Sequence, residues 1–366
     1  MSSKPLVAII TTTINVPRVL AAYQLRRQTD YDLRIIVAGD ANTDQRAHEF
    51  VRAIGGEYLG VHDIKSTRWA SNEVIGTRSI QRRNLALLHA ISIGADYVIT
   101  VDDDNVPYNP MKHVDEVLAG FANVTSLLTT GTGWYNPNVA LDPVVVHRGF
   151  TLNQRHKDVR FEFIDVTQFN LTYQVGVVAG LCIGDPDIDA IERIVLQPMV
   201  HNVNTNARLP EGVVLAPGTW APFNTQNTAY TWEVAPLMQC LVDVGRYDDI
   251  WMSYVARAVM NAMDRYVRYG APLMWQERNE HDLVVDLKNE VFGYQHTPAF
   301  TEALRDVELP EYNEADPCAS VDLLELAYAG VDSFFSERTR NANRAWLTDV
   351  REAIRLGVEA RGSRDA

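Results

Sequence analysis

The sequence predicts an α/β fold, and three observations carry it. Short apolar, β-branched runs recur in the first third of the chain, at Leu6 to Thr11, Leu33 to Ala38 and Tyr97 to Val101. Amphipathic stretches with helical spacing separate them. Each run stops at a polar cluster: three threonines, then Gly39-Asp40, then Asp102-Asp103-Asp104. Strand–helix alternation of this kind predicts a mainly parallel sheet with helices on both faces. In such sheets ligands bind beyond the carboxyl ends of the strands.

The elements follow in order. Leu6 to Ile10 is the first strand, too short for a signal-peptide core or a membrane span. Residues 17 to 27 read as a helix with Pro17 at its start. Residues 44 to 54 form a second helix, ended by Gly55-Gly56. From Arg78 to Ile93, the spacing of Ile80, Leu85, Leu88 and Ile91 predicts an amphipathic helix stopped by Gly94. Beyond residue 120, Val124 to Thr130, Thr172 to Gly180 and Val213 to Ala216 read as strands of a mixed sheet. Residues 246 to 266 read as helix, as do 320 to 330 and 337 to 360. Arg361 to Ala366 is expected to fray.

Composition narrows the function. The chain has 366 residues, 46% hydrophobic and 22% charged, an ordinary globular balance. Its 33 basic and 47 acidic residues give a net charge of −14. A surface this acidic repels nucleic-acid backbones and anionic lipid, so neither a nucleic-acid polymer nor a membrane is an expected partner. An anionic substrate must then be gathered by a local basic patch or a metal cation. The three cysteines, Cys182, Cys240 and Cys318, have no metal-ligand or disulfide spacing, which fits a reducing cytoplasm.

Two acidic clusters are candidate sites. Asp102, Asp103 and Asp104 sit where a buried strand meets a loop. Alternate carboxylates at 102 and 104 can converge on one hard divalent cation, Mn²⁺ or Mg²⁺. Asp103 then points elsewhere, toward a ribose or a supporting hydrogen bond. A solvated acidic turn is the plainer alternative. Arg82 and Arg83 precede this strand and offer a bidentate grip on phosphates or a brace for the carboxylates; an exposed basic face is the alternative. Thr11, Thr12, Thr13 and Asp40 end neighbouring strands and are expected to line the same nucleotide pocket. The second cluster, Gly245-Arg246-Tyr247-Asp248-Asp249-Ile250-Trp251, opens a helix. Asp248 or Asp249 can orient an acceptor hydroxyl or remove its proton; simple helix capping is the alternative.

These motifs resemble a family. The segment Gly245 to Trp251 resembles the Gly-Arg-Tyr-Asp-Asp-Met-Trp of plant reversibly glycosylated polypeptides, the UDP-arabinopyranose mutases. Val101-Asp102-Asp103-Asp104 is similar to their Ile-Asp-Asp-Asp. Further similarities fall at Gly180 to Ala190, at Gln226-Asn227-Thr228-Ala229 and at Asp286 to Glu290. The stretch Arg83-Asn84-Leu85 also resembles STELLO-type glycosyltransferases. Together the matches cover residues 5 to 294. The resemblance implies a GT-A fold, a Rossmann-like nucleotide-diphospho-sugar transferase domain, with Asn227 among the sugar-nucleotide contacts. It implies a UDP-sugar donor and Mn²⁺ or Mg²⁺ as cofactor. Arg148-Gly149-Phe150-Thr151-Leu152-Asn153-Gln154-Arg155 places Arg155 at the family's self-glycosylated arginine. One departure stands out: the family's Trp-His is Trp275-Gln276 here, so either His281 is the third metal ligand beside Asp102 and Asp104 or the site lacks that ligand.

The expected organisation is a GT-A domain over 1–297, with a nucleotide-binding half over 1–120 and an acceptor half over 121–297. A helical C-terminal extension follows over 298–366. The expected function is a metal-dependent glycosyltransferase moving a sugar from a nucleotide-sugar donor to a small-molecule acceptor. The alternatives are a UDP-sugar pyranose/furanose mutase or self-glycosylating protein, and a non-catalytic sugar-nucleotide-binding subunit. A homo-oligomer is left open.

Overall fold

A computed structural model describes residues 4–24, 30–122, 124–157, 159–169, 173–196, 199–203, 208–278 and 281–365. The strands are β1 (Leu6–Thr13), β2 (Asp32–Gly39), β3 (Glu57–Leu59), β4 (Tyr97–Val101), β5 (Asn105–Pro107), β6 (Ser126–Thr130), β7 (Leu141–Asp142), β8 (Phe161–Asp165), β9 (Gln174–Gly184), β10 (Asn202–Val203), β11 (Val213–Leu215), β12 (Asn227–Thr231) and β13 (Arg265–Gln276). The helices are α1 (Arg46–Ala53), α2 (Ile64–Thr67), α3 (Ala70–Ile75), α4 (Arg83–Ser92), α5 (His113–Ala119), α6 (Ala190–Leu196), α7 (Arg208–Glu211), α8 (Asp248–Ala262), α9 (Leu283–Arg305), α10 (Ala319–Gly330) and α11 (Glu337–Asp365).

One sheet runs β3-β2-β1-β4-β12-β9-β13-β11-β6-β8, with β5 added beside β13. Its first four strands are all parallel, Ile9 lying level with Ile35 on β2 and Ile99 on β4. β12 then pairs antiparallel with both β4 and β9. Parallel and antiparallel pairs mix beyond that point. A parallel block joined to a mixed block, with an acidic loop after β4, is the GT-A arrangement expected from the sequence.

Period-two alternation explains the layers. On β1, Leu6, Ala8 and Ile10 face one core together with Leu85, Leu88 and Ile91 of α4. Val7 and Ile9 face the other, with Leu20, Tyr23 and Val51. The core under the mixed part of the sheet includes α8, which is buried at every position from Asp249 to Met260.

Several boundaries differ from the sequence reading. The first helix is a 3₁₀ segment, Arg18–Gln24; the expected residues 25–27 lie outside the described ones, as does Thr172. The helix expected over 246–266 ends at Ala262. Asp264, at φ 52°, then turns the chain into β13, which the continuous apolar run concealed. The boundary expected at 297/298 falls inside α9, which carries Pro298 within it. Phe300 of that helix stacks on Trp251 of α8, centroids 3.9 Å apart.

The C-terminal helices are packed into the body, with no fraying before Asp365. Asp349 of α11 accepts from the backbone N–H groups of Ala70 (3.0 Å) and Ser71 (2.6 Å), capping α3. Arg361 and Arg364 clasp Asp96 at 2.7 and 3.1 Å. Among the described residues, no helix is long and apolar enough to cross a membrane.

Candidate active site

The carboxyl ends of β1, β4 and β13, the segment leading into β12 and the first turn of α8 surround a cavity of about 360 Å³. Thr12, Arg83, Asp102, Asp103, Asp104, Asp248, Asp249 and His281 line it, and all were expected at a site. Arg148, Asp187, Thr225, Gln226, Arg246, Gln276 and Arg278 line it as well.

On the β4 side, Arg83 projects from the buried start of α4. It ion-pairs with Asp102 and donates to the Thr225 carbonyl at 3.0 Å. Burial raises the Asp102 pKa, and the adjacent guanidinium pulls it back only in part. Asp103 turns away from Asp102, as expected for alternate residues. It accepts hydrogen bonds from the Thr13 hydroxyl and from Asn15 Nδ2 (3.4 Å), tying the loop to the end of β1. The backbone of Asp104 is held by Glu277, whose N–H donates to the Asp104 carbonyl at 3.1 Å.

The opposite wall is built around Arg148. Its guanidinium forks onto Asp187, Nε to Oδ1 and Nη2 to Oδ2, both at 2.8 Å, and reaches Asp249 at 3.1 Å. Asn224 adds a donor to Asp187 at 2.7 Å. Burial alone would raise the Asp187 carboxyl; the bidentate Arg148 instead holds it well below the usual range. Asp249 also accepts from the Thr225 N–H (3.0 Å) and hydroxyl (3.2 Å), which fixes its orientation.

Asp248 is different. It is half-buried, and its one described side-chain donor is Gln81 Nε2, at 3.1 Å, reaching from the segment before α4. Burial, reinforced by the neighbouring Asp249 charge, pushes its pKa up to about 6. The chain turns into this helix through Gly245, at φ 62°, where any Cβ would collide with the Asn289 carbonyl of α9. Arg246 then spans to α9, pairing with Asp286 (2.9 Å) and Glu290 (3.1 Å).

Six expected site residues are not on the cavity wall. Thr11 is buried within the sheet, its hydroxyl bonded to the Thr12 carbonyl. Thr13 supports Asp103 from behind. Asp40 accepts from the Asn42 N–H at 2.6 Å and closes its own turn. Arg82 is fully buried and bonds Gly39 O (2.5 Å), Asn72 Oδ1 (3.0 Å) and Gly76 O (3.2 Å), a backbone brace with no reach to a ligand. Asn227 points into the sheet, toward the carbonyls of Leu181 and Pro272; strand alternation gives the cavity to Gln226. Arg155 ion-pairs with the buried Asp189, and Arg148 from the same motif takes the place at the site. His281 reaches the wall, yet its Nδ1 is engaged by Asp286 at 3.2 Å. Among the described residues no three His, Cys, Asp or Glu side chains gather as a metal-binding group, so His281 does not complete a triad with Asp102 and Asp104.

Fold and site together define a GT-A-type domain with an acid-rich cleft between its parallel block and its mixed block. No family model matches the chain. It is similar to a probable UDP-arabinopyranose mutase 1 from Pisum sativum, 28% identical over 207 residues, covering 54% of this chain and 51% of that protein. UDP-arabinopyranose mutase 3 from Arabidopsis thaliana is 26% identical over 245 residues, 63% and 60% of the two chains. The chain thus matches about half to three fifths of the length of these curated relatives, and the resemblance drawn from its motifs holds. Among solved structures, glucosyl-3-phosphoglycerate synthase from Mycobacterium tuberculosis, in complex with Mn²⁺ and UDP-glucose, aligns with a TM-score of 0.41 at 13% identity, over 80% of this chain and 78% of that one.

Proposed function

We propose that the chain is an enzyme that binds a UDP-sugar in this cavity and transfers the sugar to the hydroxyl of a small acceptor. The observation that carries the reading is the pairing across one cleft of the acidic β4 loop with the poised carboxylate of Asp248. Asp102 and Asp104 supply only oxygen donors, a pair that would suit Mn²⁺ or Mg²⁺. Bound there, the cation supplies positive charge beside the diphosphate.

The protein's own residues do the rest. Asp249, held by Arg148 and Thr225, is a positioning residue. Asp248 is the general base: a carboxyl with a pKa near 6 is ionised at neutral pH yet basic enough to take a hydroxyl proton. In a single displacement, the acceptor oxygen bonds to the anomeric carbon and its proton passes to Asp248. The bond from that carbon to the diphosphate breaks, and its electron pair stays on the phosphate oxygen.

A second reading is UDP-sugar ring interconversion, favoured by the names of both curated relatives. Self-glycosylation at Arg155 has less support, because that side chain is paired with Asp189 off the cavity wall. Incubation with UDP-arabinopyranose, UDP-glucose or UDP-galactose and Mn²⁺, followed by chromatography and intact-mass measurement, separates the readings. Acceptor-dependent UDP release supports transfer. Furanose product without acceptor supports the mutase. If no UDP-sugar shifts the melting temperature or is consumed, both readings fail.

A further inference from the structure

Four arginines line the cavity: Arg83, Arg148, Arg246 and Arg278. Three are matched by carboxylates. Arg83 pairs with Asp102, Arg148 with Asp187 and Asp249, and Arg246 with Asp286 and Glu290. Arg278 has no ion pair or hydrogen bond to its side chain among the described residues, and its Nε is buried without an acceptor. Burial, with Arg193 and then Arg246 as like charges nearby, disfavours its charged form; Asp187 and Asp185 offset this only in part. A guanidinium stays protonated under such pressure. An anion entering the cavity would relieve this desolvation.

Its position indicates which anion. Arg278 follows the end of β13, two residues past Gln276, and the bond from the Glu277 N–H to the Asp104 carbonyl pins that chain beside the acidic loop. Thr12, near the end of β1, and Asp103, bonded to Thr13, line the β1 side of the cavity, where the sugar-nucleotide reading puts the nucleoside. The phosphate that carries the sugar must lie between the Asp102–Asp104 edge and Asp248, since the anomeric carbon must reach the base. Arg278 lines the same cavity, with Asp187 and Arg246 as its charged neighbours there.

We infer that Arg278 binds the oxygens of the donor's sugar-bearing phosphate and meets the negative charge left there when the glycosidic bond breaks. The inference rests on the sugar-nucleotide reading above. The planar fork spans two phosphate oxygens, and its contribution grows as the leaving electron pair localises on that phosphate.

Calorimetric titration of the full chain with UDP, UMP and uridine, each with Mg²⁺, tests it in wild type, Arg278→Gln and Arg278→Lys, with thermal melts as the check on folding. Arg278→Gln is expected to weaken UDP about tenfold to a hundredfold. UMP and uridine stay within about twofold of wild type, and Arg278→Lys keeps part of the UDP affinity. UDP binding unchanged in both variants overturns the inference. UDP, UMP and uridine weakened alike overturn it in favour of a structural role. A wild-type chain that takes none of the three removes the sugar-nucleotide reading itself, and the inference with it.

Discussion

Asp187 and Asp248 line the same cavity and have the same side chain, yet they titrate in opposite directions. Asp187 sits in the fork of Arg148 with Asn224 behind it and is held ionised far below the ordinary carboxylate range. Asp248 lies next to a second carboxylate, has an amide as its one described donor, and is pushed up to about 6. Burial acts on both; the neighbouring charge decides the sign. One wall is compensated inside the protein and serves as scaffold. The other leaves its carboxylate poised for a proton.

Removing the scaffold is expected to have the largest effect. Arg148→Ala leaves Asp187 and Asp249 buried without their cation, a loss of about 3–5 kcal/mol that urea unfolding measures. A loss below about 1 kcal/mol would mean that the network is not a structural unit.

Removing the poised carboxylate should act on the chemistry instead. Asp248→Asn is expected to lower turnover of a UDP-sugar by about 10²–10⁴-fold while UDP affinity holds. Its effect on stability has the opposite sign to that of Arg148→Ala. A carboxyl whose folded pKa is raised contributes fully below its unfolded pKa near 3.8, and loses that contribution as pH rises through about 6. At pH 8 the Asn variant should therefore melt slightly above wild type; a lower melting temperature would place Asp248 with the scaffold.

The β4 edge provides the third test. Asp102→Asn should reduce the metal-dependent gain in UDP affinity by about tenfold or more, read by calorimetry with and without Mn²⁺. Equal affinity in both conditions for wild type would remove the metal from the reading. The smallest effect is expected at Gln81. In wild type, kcat/KM should rise with pH and level off above about 6. Gln81→Leu removes a donor to the ionised form of Asp248 and should move that midpoint upward with little change in the plateau.

The two acidic clusters were legible because each is consecutive in sequence and sits where an element changes, at the end of β4 and the start of α8. Arg148 and Asp187 carried no comparable mark. Both lie in motifs that match the resembled family, but weight fell on Arg155, and nothing in the spacing says which arginine of Arg148 to Arg155 faces the cleft. The same limit explains Asn227 and Arg82. A one-residue difference in a strand or turn reverses the face, so Gln226 took the place expected of Asn227, and of the two expected arginines only Arg83 reaches the cavity.

By itself the sequence determined the local terms: the alternation that makes a parallel sheet, the glycine that turns into α8, and the carboxylates set at element ends. These depend on residues within a few positions of one another, and a chain carries them wherever it folds. The tertiary structure alone decided which charges meet. Arg148 reaches Asp249 across 101 positions and Gln81 reaches Asp248 across 167. The ionisation of a buried carboxylate follows from such distant neighbours: the bidentate fork of Arg148 outweighs burial at Asp187, while the single Arg83 contact does not at Asp102.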